Sequence, residues 1–200
     1  MRRGWTKFLL CISVAALTQE SAFLAHAQRN EPEKRANELT LAGLRPGKDT
    51  LTAALKHYRS KYLADGASGK ASPTDPRTWD EPCTGRSLNI TADEKSVIQE
   101  ITVSTLSSRE GKCDDRRLEG LDMKDWITGR GLRLGDSRNR VTELYGEPGT
   151  DGPSVKGEHE LEFLYYAFDW AGADVPQVLE IYCERETGRV VEITLAYPSL

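Results

Sequence analysis

The sequence predicts an α+β fold of two small units, each with a short helix packed on an antiparallel sheet. Three observations lead to this fold class. Short stretches alternate apolar and polar side chains, as half-buried strands do, and turn residues separate them into hairpins. Each group of strands follows one short amphipathic helix, and a helix on one face of antiparallel hairpins is an α+β arrangement. Short motifs from the first half also recur in the second.

Residues 1–27 have the pattern of a secretion signal. Basic residues precede an apolar run at 8–17, and Ala25 and Ala27 are the small residues that a signal peptidase accepts. The run is shorter than the ~20 apolar residues of a membrane-spanning helix, which favours cleavage after Ala27 over an uncleaved anchor. We therefore expect a secreted or periplasmic protein.

The 200 residues carry a formal net charge of −4 at neutral pH. A mildly acidic chain has no overall attraction for nucleic acid or anionic lipid, so we expect no nucleic-acid partner. No other stretch is long and apolar enough to cross a bilayer, and we expect no stable membrane span once the signal is removed.

Three cysteines follow the predicted signal. Export permits disulfides, and an odd number of cysteines leaves one thiol without an intramolecular partner. Cys83 and Cys113 flank a predicted hairpin whose folding brings its ends together, so we predict a disulfide between them. Cys183 lies on the apolar face of a later strand, and we expect it to be a small core residue.

The first unit is predicted to span residues 28–106. After a polar lead-in, Asp49 or Thr50 caps a helix by accepting a hydrogen bond from a free backbone N–H group. Strands are predicted at 87–91 and 97–106. The apolar side chains of the helix recur at helical spacing: Leu51, Leu55, Tyr58 and Tyr62.

Residues 66–82 are rich in glycine, serine, alanine and proline, and they predict a long loop between this helix and the first strand. Loops of this length in compact domains are often functional, and a disordered connector is the other interpretation. Trp79 needs a covering neighbour, so we expect this end of the loop to dock against the domain.

Residues 107–122 mix charges of both signs and predict a solvated linker between the units. The second unit is predicted to span residues 123–200. Asp136 or Ser137 caps its helix, and Gly146 suits the left-handed conformation that ends a helix. The apolar face of this helix consists of Val141, Leu144 and Tyr145.

Three strands follow in the second unit. The first, at 160–168, is apolar on both faces, so it is either buried on both sides or part of an interface. The second, at 177–184, and the third, at 190–195, are apolar on one face. The side chains predicted to face the core from these two strands are Leu179, Ile181, Cys183, Val191, Ile193 and Leu195.

Two motifs predict a tandem repeat. The Gly-Leu-Arg-x-Gly stretch at 43–47 recurs 88 residues later at 131–135. The strand core at 99–103 recurs at 191–195, with its isoleucines 92 residues apart. Each unit therefore contains a glycine turn, a helix, a loop and a hairpin in the same order.

The second unit resembles the SmpA/OmlA (BamE-like) group of exported proteins. The resemblance lies in the order of Gly135, the capped helix, the Gly-Glu-Pro stop at 146–148, the aromatic strand and the terminal hairpin. It implies the small α+β fold that this group shares with the β-lactamase inhibitory protein, which is itself a tandem pair. The chain departs from the group in lacking its lipid-attachment cysteine after the signal.

The sequence contains no recognisable catalytic motif. His57 and His159 lack the spacing of a zinc helix, and no glycine-rich phosphate loop or nucleophile elbow is present. Three glutamates at 158, 160 and 162 share a strand face, which we interpret as solvated. We therefore expect no cofactor, no metal and no enzymatic activity.

Aromatic side chains point instead to binding. Tyr165, Tyr166, Phe168 and Trp170 cluster on or just after one strand, and aromatic anchors dominate protein recognition. The predicted function is a non-catalytic binding module that recognises a protein or a cell-envelope component through its sheet face. The alternatives are a secreted hydrolase using carboxylates near the loop at 66–82 and a purely structural domain.

Overall fold

The computed structural model describes residues 38–58, 76–81, 84–106, 126–168 and 177–197. These residues form two α-helices and seven β-strands within the described ranges. In chain order the elements are α1 (Leu51–His57), β1 (Arg77–Glu81), β2 (Arg86–Ala92), β3 (Ile98–Ser104), α2 (Arg138–Tyr145), β4 (Thr150–Lys156), β5 (His159–Phe168), β6 (Gln177–Glu184) and β7 (Val190–Ala196).

The prediction of two units, each with a helix on its own sheet, is wrong. All seven strands form one antiparallel sheet in the order β1-β2-β3-β7-β6-β5-β4. The two halves of the chain join at the centre, where β3 pairs with β7. Separate sheets would leave both strands as edges with unpaired N–H and C=O groups, and their pairing satisfies those groups. The predicted signal at 1–27 and the predicted linker at 107–122 lie outside the described residues.

The core lies on one face of this sheet, which we call the inner face. Two rows of apolar side chains cross β2, β3, β7, β6 and β5 in register. All ten side chains are fully buried, so the alternation within each strand decides which residues enter the core. One row is Leu88, Val103, Ile193, Ile181 and Leu164, and the other is Ile90, Ile101, Leu195, Leu179 and Tyr166.

Both helices begin at cap residues that the sequence predicts, and α1 ends at His57, before the predicted face residue Tyr62, which lies outside the described residues. The Thr50 hydroxyl accepts the Ala53 N–H at 3.3 Å, and the Ser137 hydroxyl accepts the Arg140 N–H at 3.3 Å. Gly146 ends α2 with a φ of 76°, the left-handed region that favours glycine. Within the described ranges no helix is long and apolar enough to cross a membrane.

The core-facing residues of β6 are confirmed, but those of β7 need one correction. Leu179, Ile181 and Cys183, together with Ile193 and Leu195, are fully buried. Val191 was predicted to face inward, and this is wrong because a bulge shifts the register. Tyr182 pairs with Glu192 whereas Cys183 pairs with Val190, so one β7 residue is left over. Val190 takes the inward position at 1% exposure.

The centre of the sheet relates the two halves by a local two-fold rotation. Thr102 and Thr194 lie opposite each other in β3 and β7, and their hydroxyl oxygens are 2.8 Å apart. They are 92 residues apart in the chain, which is also the separation of the repeated isoleucines. Pairing is symmetric about these two threonines, since Ile101 pairs with Leu195 and Val103 pairs with Ile193.

The joint between the glycine turn and the last strand has similar backbone bonding in the two halves. Ile98 accepts from the Gly47 N–H and donates to the Asp49 carbonyl. Val190 likewise accepts from the Gly135 N–H and donates to the Asp136 carbonyl. The accepting carbonyl lies two residues after Gly47 in the first joint and one residue after Gly135 in the second.

A buried carboxylate locks the segment before α1 to the segment before α2. Glu38 is 1% exposed, although it is the last residue of the polar lead-in at 28–38. Its oxygens accept five hydrogen bonds of 2.8–3.1 Å from the N–H groups of Leu39, Thr40, Gly129 and Arg130 and from the hydroxyl of Tyr145. Burial and the Glu38 charge raise the pKa of Tyr145, so its phenol stays a donor.

Candidate binding surface

The structure places the predicted site residues on two faces of the sheet. Tyr166 and Phe168 are 0% and 1% exposed, so they belong to the core and do not form an accessible surface. Tyr165 directly precedes Tyr166 on β5 and therefore points to the opposite face, where it is half-buried. Trp170 lies outside the described residues.

Tyr166 and Phe168 are core residues because α2 covers them. The Tyr166 hydroxyl donates to the Gly146 carbonyl at 3.1 Å, just beyond the end of α2. Tyr145, on the last turn of α2, packs against both rings at centroid distances of 5.7 and 6.2 Å. These contacts resolve the ambiguity of a strand that is apolar on both faces.

Three aromatic rings lie together on the face opposite the core, which we call the outer face. Phe163 and Tyr165 are successive outward residues of β5, and Tyr182 is the cross-strand partner of Phe163 on β6. The Phe163 ring is 5.1 Å from that of Tyr182 and 6.2 Å from that of Tyr165. All three side chains are half-buried and open to solvent on one side. We call this cluster the aromatic shelf.

The outer face is strongly acidic around the shelf. Within the described strands, Lys156 is the one lysine or arginine whose register places it on this face. The single positive charge of Lys156 can balance only one of the carboxylates on this face. The acidic residues that share the outer face are Asp80, Glu100, Glu180, Glu184 and Glu192.

Lys156 shows how this face holds a cation. Its Nζ lies 3.5 Å from the centroid of the Tyr182 ring and pairs with the Glu192 carboxylate. Tyr182 and Glu192 are direct cross-strand partners, so ring and carboxylate form one site. Burial opposes the charge of Lys156, but the hydrogen bond and ion pair with Glu192 outweigh it and raise the pKa of the amine.

Glu180 occupies an equivalent position without such a cation. It is the cross-strand partner of Tyr165, one row along the sheet from the Tyr182 pair. Burial raises the pKa of its carboxyl group, Lys156 lowers it, and Glu100 and Glu192 raise it further. Within the described ranges no donor bonds its carboxylate. A half-buried carboxylate without a donor is a group that a bound cation would stabilise.

Two of the three glutamates at the hairpin ends lie beside arginine side chains. Glu162 binds Arg138 through two hydrogen bonds of 2.9 and 3.0 Å, so it is paired and not simply solvated. Glu160 lies 3.9 Å from Arg185, and Glu158 lies in the turn before β5. A shallow pocket of about 460 Å³ is lined in part by Glu158, Glu160 and Arg185. In the described part of the chain no group of histidine, cysteine and carboxylate side chains is arranged to hold a metal ion.

Cys183 is a buried free thiol, as the sequence predicts. The predicted disulfide between Cys83 and Cys113 lies outside the described residues. So does most of the predicted loop at 66–82, except that its end forms β1. Trp79 on β1 is fully buried, which confirms that this end docks.

The thiol of Cys183 is expected to resist alkylation in the folded protein. Its pKa is raised to about 12, mainly by burial and also by the charge of Glu162, while Arg138 acts in the opposite direction. At pH 8 the thiolate is then on the order of a thousandfold rarer than at the ordinary thiol value. Peptide mapping after iodoacetamide treatment should find Cys183 unmodified until urea unfolds the chain. Labelling at equal rates in both states would contradict this burial.

The same shift links stability to pH. Because the folded-state pKa of Cys183 lies above the unfolded value, the contribution of this thiol to the free energy of unfolding is complete below pH 9. We expect it to be lost progressively as the pH rises from about 9 to about 12.

The sequence signal for the aromatic shelf was present but incomplete. Tyr165 was among the predicted binding residues. Tyr182 and Glu180 lie on the polar side of a strand whose other side was correctly assigned to the core, so period-2 alternation alone places them outward. Their proximity to Phe163 depends on the register of β5 with β6.

Comparisons with known proteins do not assign this chain to a family. No protein-family model matches the sequence, and no curated protein matches it significantly. The structure is similar to that of YjgB, a DUF4309 family protein from Bacillus subtilis subsp. subtilis str. 168. The TM-score is 0.44 at 10% identity, covering 80% of this chain and 88% of that chain.

Proposed function

We propose that the protein is an exported, non-catalytic binding module that recognises a protein or a cell-envelope component through the outer face of its sheet. The observation that carries the proposal is the aromatic shelf of Phe163, Tyr165 and Tyr182 on the face away from the core. Export is inferred from the signal pattern at 1–27, which favours a secreted or periplasmic location.

The composition of the outer face supports this proposal. A solvated face of an antiparallel sheet is ordinarily polar, whereas this one presents three neighbouring rings. Large aromatics that are half-buried in the free protein bury further area on association without losing much side-chain entropy. Leu161 on the same face is fully buried yet lies apart from the core cluster, so apolar packing extends beyond the rings.

Site-specific photo-cross-linking in the native envelope tests the proposal. Ala167 is exposed on the outer face of β5, and a benzophenone amino acid at this position would lie beside the shelf. Arg140 is exposed on α2 and provides a control position away from the sheet. We expect a discrete cross-linked species from position 167 and none from position 140. Equal cross-linking at both positions, or none at 167, would refute recognition through the sheet face.

A further inference from the structure

We propose that the outer face binds a basic protein segment and seats one of its arginine or lysine side chains between Tyr165 and Glu180. The inference rests on the proposed function and assigns the chemistry of the partner. Three observations support it. Lys156 of this chain already binds a ring and a carboxylate on this face, a second ring–carboxylate pair has no bound cation within the described part of the chain, and the face as a whole is acidic.

The internal example is the Lys156 site. Its ammonium lies over the Tyr182 ring at 3.5 Å and contacts the carboxylate of Glu192, which is 9% exposed. The ring and the carboxylate come from adjacent strands in direct register. An ammonium held between a ring face and a carboxylate is therefore a stable arrangement on this surface.

The unfilled copy is the pair formed by Tyr165 and Glu180. These residues are also direct cross-strand partners, on β5 and β6, and they lie one row from Tyr182 along the same face. The Glu180 carboxylate is partly desolvated and, among the described residues, accepts no hydrogen bond. A cationic side chain placed over the Tyr165 ring would supply the missing donor and the missing charge.

The charge of the face selects the class of partner. Glu100 and Glu184 add to the acidity around the two ring–carboxylate pairs, and Lys156 is already neutralised by Glu192. Anionic lipid and nucleic acid would be repelled, whereas a basic segment would be attracted and oriented. Arginine should be preferred to lysine, because its planar guanidinium stacks on a ring while binding a carboxylate through two N–H groups.

Peptide titration tests the inference with defined probes. A fluorescent octapeptide of alternating arginine and threonine is compared with versions carrying lysine, citrulline or glutamate in place of arginine. Anisotropy is measured on the mature protein and on Glu180→Gln, Tyr165→Leu and Tyr165→Phe. Glu158→Gln is the matched control, because Glu158 is exposed in the turn before β5 and its loss changes the net charge equally.

We expect the arginine peptide to bind more tightly than the lysine peptide, and the citrulline and glutamate peptides to bind at least tenfold more weakly. Glu180→Gln and Tyr165→Leu should each weaken the arginine peptide about tenfold. Tyr165→Phe and Glu158→Gln should stay within about twofold of the unmodified protein, since the first keeps the ring and the second lies off the face. Circular dichroism of each variant confirms that it is folded.

Four outcomes of the binding measurements would overturn the inference. They are no binding of the arginine peptide, equal binding of the citrulline peptide, equal weakening by Glu158→Gln, and preferential binding to vesicles of anionic lipid. Photo-cross-linking from position 167 in a Glu180→Gln background separates this inference from the proposed function. An undiminished cross-link there would leave recognition through the sheet face intact and refute the cationic contact.

Discussion

Replacing Glu38 by alanine is expected to lower the free energy of unfolding by roughly 3–5 kcal/mol. The carboxylate is 1% exposed and accepts five hydrogen bonds, four of them from backbone N–H groups. Truncation removes this acceptor from part-buried donors, and each unmade buried hydrogen bond costs about 1–3 kcal/mol. The Gly129 N–H keeps the Thr40 carbonyl as an acceptor, and the Tyr145 hydroxyl keeps its bond with Thr128. Local relaxation and water entry recover part of that sum, which is why the expected loss is smaller than five full penalties.

Urea unfolding of the purified protein measures this loss. Glu143→Ala is the matched control, because Glu143 is exposed on α2 and its ion pair with Arg140 contributes little. Glu38→Gln should fall between the two, since it keeps one acceptor oxygen but turns an amide donor toward other donors. A loss below about 1 kcal/mol for Glu38→Ala would show that the network does not hold the two segments together.

Gly129 gives an independent measurement of the same network. A Cβ at this position would lie 2.6 Å from the Thr40 hydroxyl and 2.7 Å from a Glu38 oxygen. Gly129→Ala should therefore destabilise the protein by about 1–3 kcal/mol through overpacking. Removal of the Glu38 side chain relieves one of the two clashes, so the double variant should lose less stability than the sum of the single variants. Stability losses that add exactly in the double variant would contradict direct contact between residues 129 and 38.

Local patterns in the sequence predicted the elements of this fold better than their assembly. The caps at Thr50 and Ser137, the stop at Gly146 and most of the inward faces of β6 and β7 follow from neighbours within a few residues. Whether β3 and β7 remain edges or pair is a long-range choice that alternation does not encode, because both outcomes bury the same apolar sides. The prediction of separate sheets failed at this point.

Long-range contacts also explain why Glu38 was missed. Its neighbours in sequence are charged, and a glutamate in such a segment is ordinarily solvated. The groups that donate to its carboxylate include the Gly129 N–H and the Tyr145 hydroxyl, which are 91 and 107 residues away in the chain. Only the fold brings these donors together, so no local pattern marks the residue as buried.

The sequence predicted which strand carries the candidate site, but it did not predict which face of that strand is exposed. The stretch at 160–168 is apolar on both sides, and alternation therefore gave no reason to prefer Tyr165 over Tyr166 as an exposed residue. The decision comes from α2, whose Tyr145 packs on Tyr166 and Phe168. Sequence alone does not specify which face a helix covers when both are apolar.

Tyr166→Ala is expected to affect mainly stability and Tyr165→Ala mainly partner recognition, although the two residues are adjacent. Tyr166 is fully buried and its hydroxyl bonds the Gly146 carbonyl, so its truncation should cost roughly 3–5 kcal/mol of folding free energy. Tyr165 is half-buried on the outer face, and its truncation should cost about 1 kcal/mol through lost contact with Phe163.

Partner recognition should show the reverse order. Tyr165→Ala removes one wall of the aromatic shelf, so cross-linking from position 167 should fall about tenfold while the protein remains folded. Tyr166→Phe keeps the buried ring and loses one hydrogen bond, which should lower stability by about 1 kcal/mol and leave cross-linking unchanged. Urea unfolding and cross-linking of the same preparations separate the two effects. If Tyr166→Phe lost the cross-link while Tyr165→Ala retained it, the recognition surface would lie on the inner face and the assignment of the two faces would be reversed.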